Sequence, residues 1–137
     1  MPTAATSKPG ISTAPVAKKL LIKPGFTIGV LNAPDGFRKQ LEPLPDGATV
    51  TDRPGADMDV VIGFLRNESD LKKVAPAAGK AVRPDGLLWL CYLKGGAKAG
   101  TDLNRDVLRD KAASLGLEGV SLVAVDDAWS AMRFKKR

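Results

Sequence analysis

Three short apolar runs, separated by segments with helical periodicity, constrain the fold of this chain more than any other feature. The runs occupy residues 26–31, 59–65 and 87–92, and turn-forming Pro, Gly or Asp residues precede each of them. Strands that are apolar throughout are typical of a parallel sheet that helices cover on both faces. The sequence therefore predicts a three-layer α/β fold with a mostly parallel sheet.

Helical periodicity predicts three helices. A short one carries Phe37, Leu41 and Leu44 on one face, and prolines at positions 43 and 45 end it. A second helix follows a cap within residues 67–69, and a third follows a cap at Thr101.

The last part of the chain predicts a β-hairpin. Strands at residues 120–125 and 129–134 flank the turn sequence Asp-Asp-Ala. With a short strand at residues 48–51, the element order is β-α-β-β-α-β-α-β-β, and the hairpin adds an antiparallel strand to the sheet. Residues 1–18 are predicted to be a disordered tail, and residues 19–137 are predicted to be one α/β domain.

The scarce residue types exclude several kinds of chemistry. The 137 residues include no histidine and one cysteine, which excludes an imidazole base, a Cys–His dyad and a Cys/His zinc site. Cys91 lies in an apolar run and is predicted to be a core side chain. No catalytic residue and no metal ligand is therefore predicted. No run reaches the roughly 18 apolar residues of a membrane span, and no signal-peptide pattern is present, so a cytoplasmic location without a membrane partner is expected.

The positive charge lies at the two ends of the chain. The net charge is +6; residues 1–24 contribute +4 and residues 133–137 another +4, which leaves −2 for the stretch between them. A nucleic-acid-binding domain usually carries Lys and Arg in a stripe across folded elements. The preferred interpretation is that the ends are solubilising tails. A nucleic-acid- or ribosome-associated accessory protein that uses its basic termini is an alternative.

Three stretches of the sequence form a family pattern. They are Asp-Val-Val at residues 59–61, Arg-Pro-Asp-Gly-Leu-Leu-Trp-Leu at 83–90, and Leu-Gly-Leu at 115–117 with the strand pair that ends at 130–135. In this order they resemble the fourth strand, the entry to the fifth strand, and the closing helix and hairpin of class I methyltransferases. The resemblance implies a truncated Rossmann-like sheet of methyltransferase type, in a family whose cofactor is S-adenosylmethionine.

Further phrases occur at residues 31–37, 101–104 and 129–134. They are similar to phrases shared by a family of small bacterial proteins classed as a domain of unknown function. This second resemblance covers residues 19–137, and the family name implies no activity.

The loop after the first strand departs from the methyltransferase pattern. That pattern places three glycines where the backbone approaches a bound nucleoside, and here they fall on Asn32, Pro34 and Gly36. Asn32 can adopt a left-handed backbone, whereas the ring of Pro34 holds its φ near about −65°. The family's acid falls on Val30, and Asp52 is the acid available to hold ribose hydroxyls. The residues that the resemblance assigns to a cofactor are Asn32, Pro34, Asp35, Gly36 and Asp52.

The chain is also shorter than the family pattern between Asp52 and Asp59. Six residues lie there, where the family carries a helix, a strand and another helix. The wall that packs on the adenine is therefore expected to be missing or reduced. No cofactor is expected for this reason, and S-adenosylmethionine stays open as the alternative.

A glycine-rich loop at residues 94–101 invites comparison with a phosphate-binding loop. Lys98 lies inside the loop instead of directly after its last glycine, and Asp102 is expected at the helix start that an anion would need. The sequence therefore predicts a flexible loop before a capped helix. Ligands of open α/β sheets lie beyond the carboxyl ends of the strands. The polar residues expected there, the predicted ligand rim, are Arg66, Asn67, Lys94, Thr101, Asp102 and Asn104.

These patterns favour a non-catalytic protein that binds a ligand or a partner and keeps the scaffold without the chemistry. A small S-adenosylmethionine-dependent methyltransferase with an atypical cofactor loop is the main alternative. The sequence does not identify a partner, and a homo-oligomer stays open.

Overall fold

The computed structural model describes residues 16–53 and 55–136, and the predicted tail up to residue 15 lies outside them. No helix in these two ranges is long and apolar enough to cross a membrane. In chain order the elements are α1 (Val16–Lys19), β1 (Thr27–Leu31), α2 (Phe37–Gln40), β2 (Thr49–Thr51), β3 (Met58–Leu65), α3 (Glu68–Ala81), β4 (Val82–Leu93), a 3-10 helix (Gly96–Ala99), α4 (Arg105–Ala113), β5 (Leu117–Ala124) and β6 (Trp129–Lys136).

The strands form one six-stranded sheet in the order β2-β1-β3-β4-β6-β5. Strands β2, β1, β3 and β4 pair in parallel, and β6 pairs antiparallel with both β4 and β5. The carboxyl ends of β1 to β5 therefore lie along one edge of the sheet, here called the upper edge. The predicted α/β fold, with a mostly parallel sheet and a C-terminal antiparallel hairpin, is confirmed.

Two apolar clusters, one on each face of the sheet, hold the helices in place. The central strand β3 contributes to both. Val61 and Leu65 pack in the cluster with α3 and α4, while Val60, Ile62 and Phe64 pack in the cluster with α1 and α2. All five side chains are fully buried, as the continuous apolar pattern predicts for a strand that is covered on both faces.

Helix α2 is shorter than predicted, with four residues. A residue before a proline avoids the helical conformation, so Pro43 and Pro45 prevent the helix from continuing. Phe37 nevertheless anchors its first turn. The rings of Phe37 and Phe64 lie 4.6 Å apart edge to face, and those of Phe64 and Trp129 lie 5.0 Å apart. This aromatic row fixes the start of α2 against the sheet.

The predicted domain boundary after residue 18 needs a correction. Residues 16–18 lie in α1, where Ala17 is only 3% exposed. The carbonyl oxygen of Leu20, just after α1, accepts a buried hydrogen bond of 3.1 Å from the indole nitrogen of Trp89 in β4. The folded body therefore includes α1, which the sequence pattern missed because the helix is a single turn.

The predicted turn at residues 83–86 lies inside β4 as a bulge. Met58 and Val60 of β3 pair with Val82 and Leu87 of β4, so β4 takes five steps where β3 takes two. The extra residues leave the ladder. Gly86 permits this because a Cβ there would lie 2.6 Å from a methyl group of Val82 and 2.9 Å from the carbonyl oxygen of Asp59.

Candidate functional site

A cavity of about 550 Å³ lies at the upper edge of the sheet, between the β1–α2 loop and the end of β2. Its size is within the usual range for small-molecule sites. All five residues that the sequence assigned to a cofactor line it together. The lining consists of Val30, Asn32, Ala33, Pro34, Asp35, Gly36, Phe37, Arg38, Lys39 and Asp52.

The β1–α2 loop bends where the sequence places its flexible positions. Asn32 has φ 60° and Gly36 has φ 85°, so two of the three glycine positions of the family pattern do have a left-handed backbone. The prediction for Asn32 is confirmed. Pro34 stands between them and adds a ring to the same wall.

The charges around this cavity balance. Asp35, Asp52, Arg38 and Lys39 all line it, and all four side chains are exposed. The Arg38 guanidinium also donates a 3.1 Å hydrogen bond to the carbonyl oxygen of Val50, which ties α2 to β2. The Asp52 carboxylate can accept hydrogen bonds from the hydroxyls of a neutral polar ligand.

The crevice between the carboxyl ends of β1 and β3 is bridged by a polar network, here called the Arg66 bridge and formed by Arg66, Asn32 and Asp70. Arg66 Nη1 donates to the carbonyl oxygen of Asn32 at 3.2 Å. The Asn32 amide nitrogen donates to the carbonyl oxygen of Phe64 at 2.8 Å and to Asp70 Oδ2 at 3.1 Å. The chain changes direction across the sheet between β1 and β3, and ligands of open α/β sheets usually bind at such a switch point. Here the protein's own side chains cross it.

Asp70 is a site residue that the sequence analysis missed. Its carboxylate accepts a 2.8 Å hydrogen bond from the Arg66 N–H, in addition to the bond from Asn32. Its own N–H donates to Asn67 Oδ1 at 2.9 Å. An acid three residues after a capping Asn is a known signature of a helix start, and that signal was present in the sequence.

Arg66 also contacts an aromatic ring. Its guanidinium carbon lies 6.0 Å from the centre of the Trp129 ring, at the outer limit of a cation–π contact. Among the predicted rim residues, Arg66 is thus the one whose side chain is seen to bond the β1–α2 loop in the described part of the chain.

The other rim residues bond to parts of the chain outside the β1–α2 loop. Asn67 caps α3, and Asp102 Oδ1 accepts a 2.7 Å hydrogen bond from the Glu68 N–H in the first turn of the same helix. The prediction that Asp102 occupies the start of the following helix is therefore wrong. Thr101 is buried, and its hydroxyl accepts from the Leu103 N–H at 3.1 Å.

The cap of α4 is Asn104 and not the predicted Thr101. Asn104 Oδ1 accepts from the Val107 N–H at 2.9 Å, and the helix begins at Arg105. The sixth rim residue, Lys94, is exposed, and its main-chain N–H donates to Ala128 in the hairpin turn at 2.8 Å. The structure therefore does not gather the six rim residues around one cavity.

The single cysteine is part of the core, as predicted. Cys91 is completely buried in β4. Burial raises the pKa of its thiol far above the ordinary value, and the carboxylate of Asp126 raises it further. Within residues 16–53 and 55–136, no group of three His, Cys, Asp or Glu side chains could hold a metal ion.

Two lysines from the basic ends lie at opposite edges of the sheet. Lys19 Nζ donates to the carbonyl oxygen of Ala124 at the upper end of β5, whereas Lys136 Nζ donates to that of Val82 at the start of β4. Lys136 pairs with Leu117 at the other end of β5. Leu117 lies seven residues before Ala124, so the positions of the two lysines along β5 differ by about 23 Å. These two side chains do not belong to one basic patch.

No protein-family model and no curated protein matches the chain. Several solved structures are similar to it in fold. A TehB-like SAM-dependent methyltransferase from Corynebacterium glutamicum superposes with a TM-score of 0.59 over 93% of this chain and 90% of that one, at 14% identity. A SAM-dependent methyltransferase from Thiobacillus denitrificans, in complex with S-adenosyl-L-homocysteine, gives 0.60 over 93% and 92%, at 9% identity. The DhpI–SAH complex gives 0.57 over 89% and 83%, at 12% identity.

These likenesses show the fold alone. The chain has a Rossmann-like fold of the methyltransferase type, with the mostly parallel sheet and the closing antiparallel strands that those proteins share. The resemblance to a small bacterial family stays a prediction, because no family model matches.

The residues around the cavity suit only part of the cofactor of those proteins. Asn32 and Gly36 supply left-handed backbone, and Asp52 supplies an exposed carboxylate that suits ribose hydroxyls. Pro34 fills the middle glycine position, and Arg66 closes the crevice beside Asn32. The residues therefore suit a ribose-sized group inside the cavity and do not suit a ligand that crosses from β1 to β3.

Proposed function

We propose that this protein binds a small polar ligand in the cavity between β1, α2 and β2 and catalyses no reaction on it. The proposal has support in one observation above all: the Arg66 bridge. Arg66, Asn32 and Asp70 join the carboxyl ends of β1 and β3 by hydrogen bonds of 2.8 to 3.2 Å. A reaction at the switch point would need that space.

The cavity itself offers binding groups without a reactive one. Asp35 and Asp52 are acceptors, while Arg38 and Lys39 are donors. No histidine exists in the chain, and the one cysteine is buried in the core. Such a set of groups can hold and orient a neutral hydroxylated molecule.

Native mass spectrometry of protein purified from its own host tests this proposal. We expect a copurifying small molecule, and we expect Asp52→Asn to reduce its retention because one acceptor loses its charge. Asp46→Asn, which changes an exposed carboxylate outside the cavity, is the control. Equal ligand content in Asp52→Asn and in the unmodified protein would contradict the proposal, as would micromolar binding of S-adenosylmethionine with methyl transfer.

A small S-adenosylmethionine-dependent methyltransferase is the second candidate. The left-handed backbone of Asn32 and Gly36 favours it, since two of three loop positions keep the bend that the family pattern requires. In this case Asp52 holds ribose, and the Arg66 bridge opens when the cofactor enters.

Titration with S-adenosylhomocysteine separates the two candidates. The second candidate requires a higher melting temperature of the unmodified protein with millimolar ligand. The first expects no shift in the unmodified protein. A shift that appears only in Arg66→Ala supports the first candidate, because it shows that the bridge is what excludes the cofactor.

A further inference from the structure

A second cavity of about 430 Å³ lies at the upper edge of the sheet, on the face that α4 covers. The end of β4, the glycine turn after it, the start of α4 and the two hairpin strands enclose it. Its strands β4, β6 and β5 are separated from the first cavity by β3, because the sheet order is β2-β1-β3-β4-β6-β5. This second cavity is therefore separate from the cavity of the proposed function, and the inference below does not rest on that function.

Two hydroxyl-bearing residues, both largely buried, form the floor of this cavity. Tyr92 is 7% exposed and Ser130 is 9% exposed, and both line the cavity. Tyr92 of β4 and Ser130 of β6 are cross-strand partners, and Ser130 lowers the pKa of the Tyr92 phenol. Each hydroxyl has one donor and two acceptor positions, so both can bond a ligand.

Two cations and one carboxylate line the cavity together with these hydroxyls. Lys94 lies at the cavity wall and forms no ion pair with any residue in the described ranges. Arg105 pairs with Asp106 at 3.7 Å, with both side chains well exposed, an arrangement that contributes little. Arg105 and Arg109 both lower the pKa of the Tyr92 phenol, against the larger effect of burial and a smaller one of Asp106, both of which raise it. The field of two guanidinium groups therefore reaches the floor.

The sequence predicts that the carboxylate of Asp102 lies at the start of the helix after the glycine turn and opposes an anion there. In the structure the carboxylate of Asp102 instead accepts a hydrogen bond from the Glu68 N–H of α3 at 2.7 Å. The acid in the first turn of α4 is Asp106, which pairs with Arg105. Asn104 uses its oxygen to cap α4, which leaves its amide nitrogen as a further donor at the cavity wall.

Main-chain hydrogen bonds hold the glycine turn in place. The Lys94 N–H bonds the hairpin turn at Ala128, and the Thr101 N–H bonds the carbonyl oxygen of Gly96 at 3.3 Å. Gly95 and Gly96 have φ 92° and 50°, a backbone that residues with a side chain rarely adopt. The wall of the cavity is thus fixed before anything binds.

We propose that this second cavity binds an organic phosphomonoester, with the phosphate between Lys94 and Arg105 and the apolar part against Leu93 and Leu122. A phosphomonoester carries a charge of about −1.5 to −2 near pH 7 and offers three acceptor oxygens. The ammonium, guanidinium, amide and hydroxyl groups can all donate to those oxygens, and the two cations outnumber the one carboxylate of the lining, Asp106. Leu122 is 43% exposed, and it offers apolar surface to the organic part.

Calorimetry and amide NMR with phenyl phosphate as the probe test this proposal in the full chain. We expect saturable binding that shifts the amide signals of Gly95 and Gly96. The double variant Lys94→Met/Arg105→Gln should weaken binding by about tenfold or more, since charge-assisted hydrogen bonds are the strong ones. Lys98→Met is the matched control because it removes an exposed lysine of the same turn that does not line the cavity. It should change the affinity by no more than about twofold.

Inorganic phosphate and a single-stranded oligonucleotide distinguish other sources of phosphate. Weaker binding of both than of phenyl phosphate supports the proposal. Equal affinity for inorganic phosphate and phenyl phosphate overturns the claim that the site recognises the organic part of the ligand. Tighter binding of the oligonucleotide, weakened by the Lys94 and Arg105 substitutions, overturns the phosphomonoester as the ligand and favours nucleic acid. An equal loss in Lys98→Met also overturns the proposal, because it shows attraction by charge without a site.

Discussion

The indole N–H of Trp89, in β4, donates a hydrogen bond to the carbonyl oxygen of Leu20, 69 residues earlier in the chain. Both residues are buried, and the bond attaches the segment after α1 to the centre of the sheet. A backbone acceptor in this position has no water to replace a lost donor. The bond is therefore a fixed point for the whole N-terminal segment of the described chain.

We expect Trp89→Phe to lower the free energy of unfolding by about 1–3 kcal/mol for the unpaired carbonyl, and further for the space left by the smaller ring. Denaturant unfolding measures this change. Trp129→Phe is the control, since Trp129 packs on Phe64 and no hydrogen bond of its indole is seen in the described part of the chain. Equal losses in the two variants would show that ring size alone matters.

Two glycines should respond in opposite ways to alanine. At Gly63 in β3, a Cβ would lie 2.6 Å from a methyl group of Val74 and 3.3 Å from one of Leu90. At Gly79 in α3, a Cβ meets nothing within 4 Å. We expect Gly63→Ala to destabilise the fold by about 1–3 kcal/mol through overpacking, and Gly79→Ala to stabilise it by about 0.5–1 kcal/mol because alanine favours the helix. Thermal unfolding of both variants measures this. A stabilising Gly63→Ala would mean that Val74 moves freely.

The Asp102 carboxylate should contribute to stability through α3. Because it accepts the Glu68 N–H at 2.7 Å, Asp102→Ala should cost about 0.5–2 kcal/mol, the usual effect of losing a helix cap. Asp102→Asn keeps an acceptor oxygen and should recover part of the loss. Asp110→Ala, an exposed acid inside α4, serves as the control in urea unfolding, and a loss of the same size there would contradict the capping role.

Tyr92 is the one tyrosine of the chain, so tyrosinate absorbance reports on it alone. Burial raises its pKa, and Arg105 and Arg109 partly oppose this. In an ultraviolet titration the folded protein should ionise above the usual tyrosine value of about 10. Arg105→Gln should raise the pKa further, whereas Arg53→Gln at the far end of the sheet should leave it unchanged. A titration at or below the value of free tyrosine would contradict the buried position.

The same shift gives a pH dependence of stability. The Tyr92 phenol has a higher pKa in the folded state than in the unfolded chain, so the unfolded chain loses this proton at a lower pH and high pH favours unfolding. Its contribution to the free energy of unfolding is complete below about pH 10 and falls as the pH rises toward the pKa of the folded state. Tyr92→Phe should remove this part of the alkaline loss in denaturant unfolding at several pH values.

Cys91 should resist alkylation in the native protein. Burial holds its thiol protonated, and the thiolate is the reactive form. We expect iodoacetamide to label it only as fast as the chain opens, so that added denaturant accelerates labelling steeply. Rapid stoichiometric labelling of the folded protein would show that β4 is open to solvent.

The sheet could be predicted from the sequence because each strand carries its own signal. The apolar run at residues 59–65 is buried on both faces of β3, and the Asp-Asp-Ala turn joins the hairpin as expected. The left-handed backbone of Asn32 also followed from local preference. Such features depend on neighbours within a few residues.

The site depended on contacts that local patterns do not contain. Arg66 meets Asn32 across 34 residues, and this contact exists only because β1 and β3 are adjacent. Thr101 and Asn104 are both good capping residues. The hydroxyl of Thr101 accepts a hydrogen bond from the nearby Leu103 N–H instead of capping a helix. Residue preference alone cannot rank two such candidates three positions apart.

The opening turn of α3 carries two loops at once. The Glu68 N–H donates a hydrogen bond to Asp102 in the loop after β4, and the Asp70 carboxylate accepts one from Asn32 in the loop after β1. Lys111 of α4 adds a third attachment, 3.4 Å from Glu68. A molecule that displaces either loop must therefore break a hydrogen bond to the first turn of α3, to which the other loop is also bonded. Fraying of this one turn would loosen both loops together, and with them the cavities on the two faces of the sheet.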